Sequence, residues 1–565
     1  MSLFGSIQLA NNALRAQQIG LQVVGQNISN ANTPGYIREQ VVLSPAPTQQ
    51  VGSLLLGLGV QVDGVVQIID NFLEERLRGA SSERANTSAQ EEAFVQLEGL
   101  IGELGDTDLS TSLTNFFNSV SEVLNQPESV AVRNLAVLRG QTLSDDVSLL
   151  GGRVANLRED INDRVQEHAK NINELTETIR KLNIQIAATE GGDVSKSDAV
   201  GLRDQRLNAL TALSEIVDIR VVEQASGTVN VSVGGEFLVA DGNRRQVYAA
   251  STTDRGQAIA EVRFADTDSQ VNVASGELSG LLAARDHLLG GFLDQLDDFA
   301  ATLAFEFNKI FSSGQGLSGY QSVTAEFAVD AIDAPLDEAG LPFTPSNGSF
   351  DILVKDQETG ITETTNIRVD LNGLNGDSSL QEIVAQLNAV NGVTATIGAD
   401  RVVSIVSDSS DQEFAFGADT SGLLAALGIN TFFTGSGSGS LNVAQALKND
   451  PGKFAASSGG IATDTANAER LAGFFDRPLE SQNNDSLSTL YGRLTGGVTQ
   501  GSAVARNVAE GASVFESSLA GQKLATSGVN LDEEIVRMIQ YQRAFQMTAR
   551  YISELDELLQ ILINL

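Results

Sequence analysis

The chain has 565 residues and carries 36 Lys+Arg against 72 Asp+Glu, a formal charge of −36. So acidic a surface is not built to neutralise phosphates or anionic lipid, which argues against nucleic-acid binding. Cysteine and tryptophan are absent and there are two histidines, His168 and His287, so thiolate sites, disulfides and multi-histidine metal sites are removed as well. The length predicts several folded units. The first residues lack the basic stretch and apolar core of a secretory signal. The longest apolar run, Leu54 to Val60, is too short for membrane insertion.

The first 33 and last 87 residues contain no proline, so both ends are free to be helical. Leu3, Ile7, Ala10, Leu14, Gln17, Leu21, Val24 and Ile28 follow at spacings of three and four, the period of a helix seam. Asn30, Asn32, Pro34 and Gly35 then stop the helix. The C-terminal segment repeats the device with Met538, Tyr541, Phe545, Thr548, Ile552, Leu555, Leu559 and Leu562. Neither seam has a partner nearby in sequence, so the two are expected to pack on each other, on copies in other chains, or both. Gly5, Gly20 and Gly25 weaken the first helix. It is expected to fray alone and to order on association.

Inside the ends, Val147, Leu150, Val154, Leu157, Ile161, Val165, His168, Ile172, Leu175, Ile179, Leu182 and Ile186 predict a rod of about forty residues, paired with Glu91 to Arg139. A third long helix is predicted from Glu277 to Phe311. Between these rods the period changes to two. Thr228 to Val233 alternates, Gly234-Gly235 turns, and Glu236 to Val239 returns, a β-hairpin. A second insert shows alternation over Phe350 to Val354 and again at Ile367 and Val369. An amphipathic helix through Leu380, Ile383, Val384 and Leu387 follows, then strands near Val393 to Ile397 and Val402 to Val406. The run from Gly435 to Ser440 reads as a Gly/Ser linker.

Chemistry finds little support. The single Gly-Lys step, Gly452-Lys453, is followed by Phe454 and lacks the leading glycine of a phosphate loop. No serine sits in a G-x-S-x-G elbow. Asp266, Asp268 and Glu277 fall at positions one, three and twelve of a calcium-loop register, but Val271 occupies the position that needs glycine, so a solvated turn is expected. His168 lies on the rod seam and is read as an interhelical hydrogen-bonding residue. No catalytic, cofactor-binding or metal-ligating residue is assigned.

The strongest local signal is Asn27-Ile28-Ser29-Asn30-Ala31-Asn32-Thr33-Pro34-Gly35-Tyr36-Ile37-Arg38, directly after the first helix. It resembles the signature of the bacterial flagellar axial proteins of rod, hook and hook-associated type. Ser527-Gly528-Val529-Asn530-Leu531-Asp532-Glu533-Glu534, with Tyr541-Gln542-Arg543-Ala544-Phe545 and Ala549-Arg550-Tyr551-Ile552, is similar to the C-terminal signature of the same family. Length and Leu427-Gly428-Ile429-Asn430-Thr431-Phe432-Phe433 point within it to members at the junction of hook and filament. The resemblance implies a non-enzymatic, structural protein that leaves the cell through the flagellar export channel and assembles as a ring. The implied partners are other copies of the chain, hook protein, a second junction protein, and an export chaperone on the C-terminal helices. Another axial component, or a secreted adhesin or enzyme with its site in a β insert, is the alternative.

The expected fold is multidomain α+β, with coiled-coil-like rods built from both chain ends and β-rich inserted domains. A terminal, polymerising helical domain is assigned to 1–45 with 525–565, and a helical rod domain to 46–218 with 277–318 and 441–524. The β-rich inserts are 219–276 and 319–434, and the linker is 435–440. The expected assembly interface is Leu3, Ile7, Leu14, Leu21, Val24, Ile28, Met538, Tyr541, Phe545, Ile552, Leu555, Leu559 and Leu562. The motif residues are Asn27, Asn30, Asn32, Thr33, Pro34, Gly35 and Tyr36. Pro34 and Gly35 are expected to turn the chain outwards, with Asn27, Asn30 and Asn32 satisfying helix carbonyls.

Overall fold

The computed structural model describes residues 3–33, 35–51, 54–102, 108–191, 199–240, 242–374 and 376–563. In chain order, helix α1 (Leu3–Asn30) leads into strands β1 (Glu39–Pro45), β2 (Thr48–Val51), β3 (Leu54–Gly57) and β4 (Val60–Gln67). β1 pairs antiparallel with β4, and β2 with β3. Helices α2 (Asn71–Gly102), α3 (Leu109–Asn125), α4 (Val130–Glu190) and α5 (Val200–Ile216) follow. Strands β5 (Ile219–Glu223), β6 (Val229–Val233), β7 (Glu236–Ala240) and β8 (Asn243–Arg244) make a four-stranded sheet in that order. β9 (Val247–Asp254) and β10 (Gln257–Phe264) make a hairpin.

Helix α6 (Glu277–Ala283) passes through a π-helical turn, Ala284–Leu289, into α7 (Gly290–Phe311). The second insert holds β11 (Ser322–Thr324), β12 (Gly348–Asp356), β13 (Thr362–Val369), α8 (Leu380–Leu387), β14 (Val393–Ile397), β15 (Val403–Ser407) and β16 (Gln412–Gly417). Its strands form two three-stranded sheets, β11-β15-β14 and β13-β12-β16. The chain returns through α9 (Leu423–Leu427), β17 (Phe433–Thr434), β18 (Asn442–Val443), α10 (Gln445–Asn449) and α11 (Ala466–Ala472) to α12 (Leu487–Ser527) and α13 (Leu531–Ile563).

These elements fall into two compact units. One comprises Met1–Ala93, Glu159–Arg285 and Ala503–Leu565; the other comprises Phe94–Arg158 and Asp286–Ser502. The multidomain α+β class is observed, with differences of local detail. The stretch 46–67 assigned to the rod is β instead, because Val60, Val62 and Val65 sit in register with Pro45, Leu43 and Val41 across an antiparallel ladder. The rod helix α4 is 61 residues long, beginning well before the heptads. Its seam residues Val147, Leu150, Val154, Ile161, Val165, Ile172, Ile179, Leu182 and Ile186 are buried as the spacing requires. The predicted helix 277–311 is interrupted by the π turn, where buried Arg285 donates from Nη1 to Asn162 Oδ1 (3.0 Å) and the Ala260 carbonyl (2.7 Å). Serving those acceptors fits the local widening of the helix. The predicted hairpin turn is observed, with Gly234 at φ 55° and Gly235 at φ 86°, the paired positive φ that a two-residue type I′ loop needs.

In the second unit, Phe432 and Phe433 insert among Phe116, Phe307 and Phe311, with ring centroids 5.3–5.5 Å apart. The Asn308 Oδ1 accepts from both of their N–H groups, at 2.9 and 3.0 Å, so the core also fixes the backbone. The Gly/Ser run is anchored and is not a free linker. Asp297 Oδ1 accepts from Ser438 N at 2.8 Å and from its hydroxyl at 2.5 Å, and the Ser440 Oγ accepts from Ser436 N and Gly437 N. Composition suggests flexibility here, but a buried seat for Ser438 overrides it.

Candidate functional site

The two quoted signatures, some five hundred residues apart in sequence, meet in the first unit. Asn27, 1% exposed near the end of α1, donates from Nδ2 to the Glu39 carbonyl (2.9 Å) and to Glu534 Oε2 (3.1 Å). Its Oδ1 accepts from Glu39 N (3.0 Å) and the Tyr36 hydroxyl (2.8 Å). One side chain thus ties the helix, the first strand and α13 together, using its full amide inventory. Arg38 completes the joint with Nε on Glu534 Oε1 (2.9 Å) and Nη2 on Glu533 Oε2 (2.8 Å). Its N–H donates to the Ser527 carbonyl at the end of α12 (3.0 Å). Glu534 is fully buried, and a charge in that position is tolerated only because Arg38 and Asn27 occupy both its oxygens.

The motif turn itself rests on α5. Gly35, at φ 75°, lies so close to Asn208 that any Cβ would collide with the amide, which accounts for glycine twice over. Asp204 accepts from Gln67 Nε2 at 2.5 Å and from the Ile37 N–H. Burial, and then the nearby Glu39 charge, push the Asp204 carboxyl up to about 7. Burial also raises Glu39. The Tyr36 phenol is pushed upward by burial and then by Glu39 and Asp204. Asn30 behaves as expected, donating to the Gln26 carbonyl (3.0 Å) and accepting from Thr33 (3.2 Å). Asn27 does not: it serves the strand and Glu534 rather than helix carbonyls. Asn32 is exposed, and Pro34 lies outside the described residues.

Helix α1 packs along α13. On α13, Leu555 is buried and Met538, Tyr541, Phe545, Ile552 and Leu559 are half-buried, all on the expected face. Helix α1 also packs on β1 and β4, and its burial falls partly on the expected seam, at Ala10 and Val24, and partly beside it. Ser6, Ala10, Ala16, Gly20, Val23, Val24 and Asn27 are its buried positions, whereas Ile7, Leu14, Leu21 and Ile28 are only half-buried. Large side chains suggest the seam, but small ones let the helix approach. A Cβ on Gly20 would come within 2.5 Å of the Tyr541 ring. The side chains of Leu3 and Leu562 lie outside the described residues.

A face missed by the heptad reading lies on the other side of α13. Val536, Ile539, Met547, Tyr551, Leu558 and Ile561 are 41–70% exposed, and their spacing places them together, away from the α1 contact. The signal was legible as a second apolar stripe in a helix whose first stripe is already satisfied. The exposed side of α1 is by contrast amide-rich: Gln8, Asn11, Gln18, Gln22 and Gln26, with Arg15.

The acidic groups considered for calcium are engaged with protein partners. Asp266 accepts from Arg245 (2.8 Å), Asp268 from Tyr248 (2.5 Å), and Glu277 from Arg164 (2.8 Å), with His168 Nε2 at 3.4 Å. Among the described residues no group of three or more His, Asp or Glu is placed to hold a metal ion. No helix of the described residues is long and apolar enough to cross a membrane.

Comparison with known proteins reaches both joint segments. Residues 94–326 match the model of the flagellar hook-associated protein FlgK helical domain. Residues 520–565 match the flagellar basal body rod FlgEFG protein C-terminal model, and residues 7–36 that of the flagella basal body rod protein. The chain is 26% identical to flagellar hook-associated protein 1 of Bacillus subtilis, covering 100% of this chain and 98% of that one. It is 23% identical to the protein of the same name from Salmonella typhimurium, with 99% of each covered. The solved flagellar hook junction protein FlgK from Burkholderia pseudomallei shares the fold at a TM-score of 0.53 and 15% identity, over 80% of this chain and 100% of that one. The chain thus carries the FlgK helical domain between two flagellar rod-type terminal segments, and is similar over its whole length to flagellar hook-associated protein 1, a structural protein of the flagellum.

Proposed function

We propose that this protein is the structural adaptor between hook and filament, closing into a ring through its terminal helices. The observation that carries the reading is the division of labour on α13. One face is spent inside the chain against α1, while Val536, Ile539, Met547, Tyr551, Leu558 and Ile561 remain uncovered. Roughly 25 cal/mol per Å2 of apolar burial awaits whichever helix covers them. Other copies of the chain are the occupants that the ring supplies. Ile7, Leu14, Leu21 and Ile28 of α1, only half-buried, leave further apolar surface for such a neighbour.

On this reading one end of the ring meets hook subunits and the other a second junction protein, with location outside the cell on the flagellum. Export through a narrow channel requires an unfolded chain, and a sequence without cysteine offers no crosslink to oppose it. An escort chaperone on the C-terminal helices would mask the apolar face of α13 until assembly. The role is mechanical rather than catalytic: the joint of Asn27, Arg38 and Glu534 sets the angle at which the chain leaves the terminal pair. Deleting the gene in the source bacterium is expected to give hooks without filaments and flagellin lost to the medium. Intact filaments would overturn the reading, and cells without hooks would move the protein to the rod or hook.

A further inference from the structure

In the first unit a cavity of about 230 Å3 is lined by Arg78 of α2, Arg203 and Arg206 of α5, and Glu74, Glu75 and Glu223 among others. Three guanidiniums around one small cavity are unexpected in a chain with twice as many acids as bases, because carboxylates are available to pair with every one. The neighbouring carboxylates are largely committed. Glu74 is held by Lys523 Nζ at 2.8 Å. Glu190 takes both Nε (2.7 Å) and Nη2 (2.8 Å) of Arg203, and Glu223 takes its Nη1 (2.7 Å).

That leaves Arg206 and Arg78 short. The Arg206 side chain is 5% exposed. Its Nη1 donates to Asn183 Oδ1 (3.0 Å) and the Gly227 carbonyl (2.7 Å), but its Nη2 has only the shared Glu223, at 3.7 Å. Arg78 feels Glu74 and Glu75 electrostatically, yet makes no hydrogen bond or ion pair within 4 Å among the described residues. Glu75 is exposed. Burial, with Arg203 beside it, lowers Arg206 to about 10, and burial lowers Arg78, so both cations gain from an opposite charge. Guanidinium forks present paired N–H donors that match an oxyanion in geometry.

We propose that this cavity is an oxyanion site, in which a carboxylate or phosphate group bridges the free donors of Arg78 and Arg206. The shared chemistry is a planar or tetrahedral group with two acceptor oxygens and negative charge. Its source is either a free dianion or an acidic side chain of another polypeptide. The inference does not depend on ring assembly.

The test uses the full chain and two probes, inorganic phosphate and malonate, titrated against matched ionic strength of chloride while the melting temperature is followed. The expected result is a saturable rise for at least one probe, with the apparent affinity reduced roughly tenfold or more in Arg78→Gln, the loss expected for a charge-assisted hydrogen bond. Malonate alone acting points to a carboxylate source, phosphate alone to a free or esterified phosphate, and both to a general dianion site. A rise no larger than that in chloride, or an equal rise in Arg78→Gln, overturns the proposal. Line broadening of the phosphate 31P resonance by the wild type and not by Arg78→Gln checks the same point without reference to stability.

Discussion

In the second insert, Ile352, Val369, Phe414, Phe416 and Leu423 are fully buried in one cluster with Phe350, Ile383 and Ile405. In the terminal pair, by contrast, Ile7, Leu14, Leu21 and Ile28 of α1 are half-buried, Phe4 is exposed, and eight large apolar residues of α13 stand 41–70% exposed. The insert buries most of its large apolar residues in that cluster, with Ile361, Leu374 and Val406 left exposed. The terminal helices satisfy theirs only in part, through small residues at the contact and a buried polar joint, and leave the remainder for association. Large apolar faces left open on a folded chain mark interaction surfaces. The difference separates a part that folds for its own stability from a part shaped to be completed by neighbours.

The contrast can be broken most forcefully at Leu555, which is 6% exposed. Leu555→Asp loses its burial and places a charge in the α1 contact, on the order of 4–5 kcal/mol. Hydrogen exchange is expected to show protection lost across residues 3–30 and 531–563 and retained in the insert. Phe416→Ala is the converse, costing about 3–5 kcal/mol in the insert core. It should lower the thermal transition of the insert while exchange at the joint stays unchanged. Glu534→Ala leaves Asn27 Nδ2 without its carboxylate and Arg38 with Glu533 alone, for roughly 3 kcal/mol. Urea unfolding of the variant should show that loss at the terminal pair.

The smallest effect is a gain. The Asp204 carboxyl, raised to about 7 in the fold by burial and Glu39, titrates near 3.9 when unfolded. The folded state therefore binds more protons between those values, and stability falls as pH rises through that window. Asp204→Asn is expected to stabilise the joint on the order of 1–2 kcal/mol at pH 8, after discounting for solvent screening, and to be neutral at pH 4. Melting temperatures of the two proteins across that range check it.

Much of this architecture is legible in the residues. The helices and the α4 seam follow from spacing, and the hairpin at Gly234-Gly235 from turn chemistry. The joint was half legible: both signatures stand out, but no periodicity tells that Asn27 reaches Glu534, since that pairing depends on the chain returning from residue 39 to residue 527. The β1–β4 ladder was missed because the irregularity between Val42 and Leu43, and Gly64 within β4, break the simple apolar alternation that marks a strand pair. On α1 the seam was read in part, at Ala10 and Val24, while Gly20 was missed because a heptad reading weights bulk and its smallness is what admits the Tyr541 ring. The anchoring of residues 435–440 depends on Asp297, far away in sequence, which composition cannot register.

The most direct test of the central claim is complementation of the gene-deleted bacterium with Met547→Asp and Leu558→Asp combined, both residues exposed in the isolated chain at 70% and 52%. The variant is expected to fold with wild-type circular dichroism and melting temperature, to be exported, and to leave hooks bare of filaments. Normal filaments on those hooks would contradict the assignment of the open face of α13 to assembly.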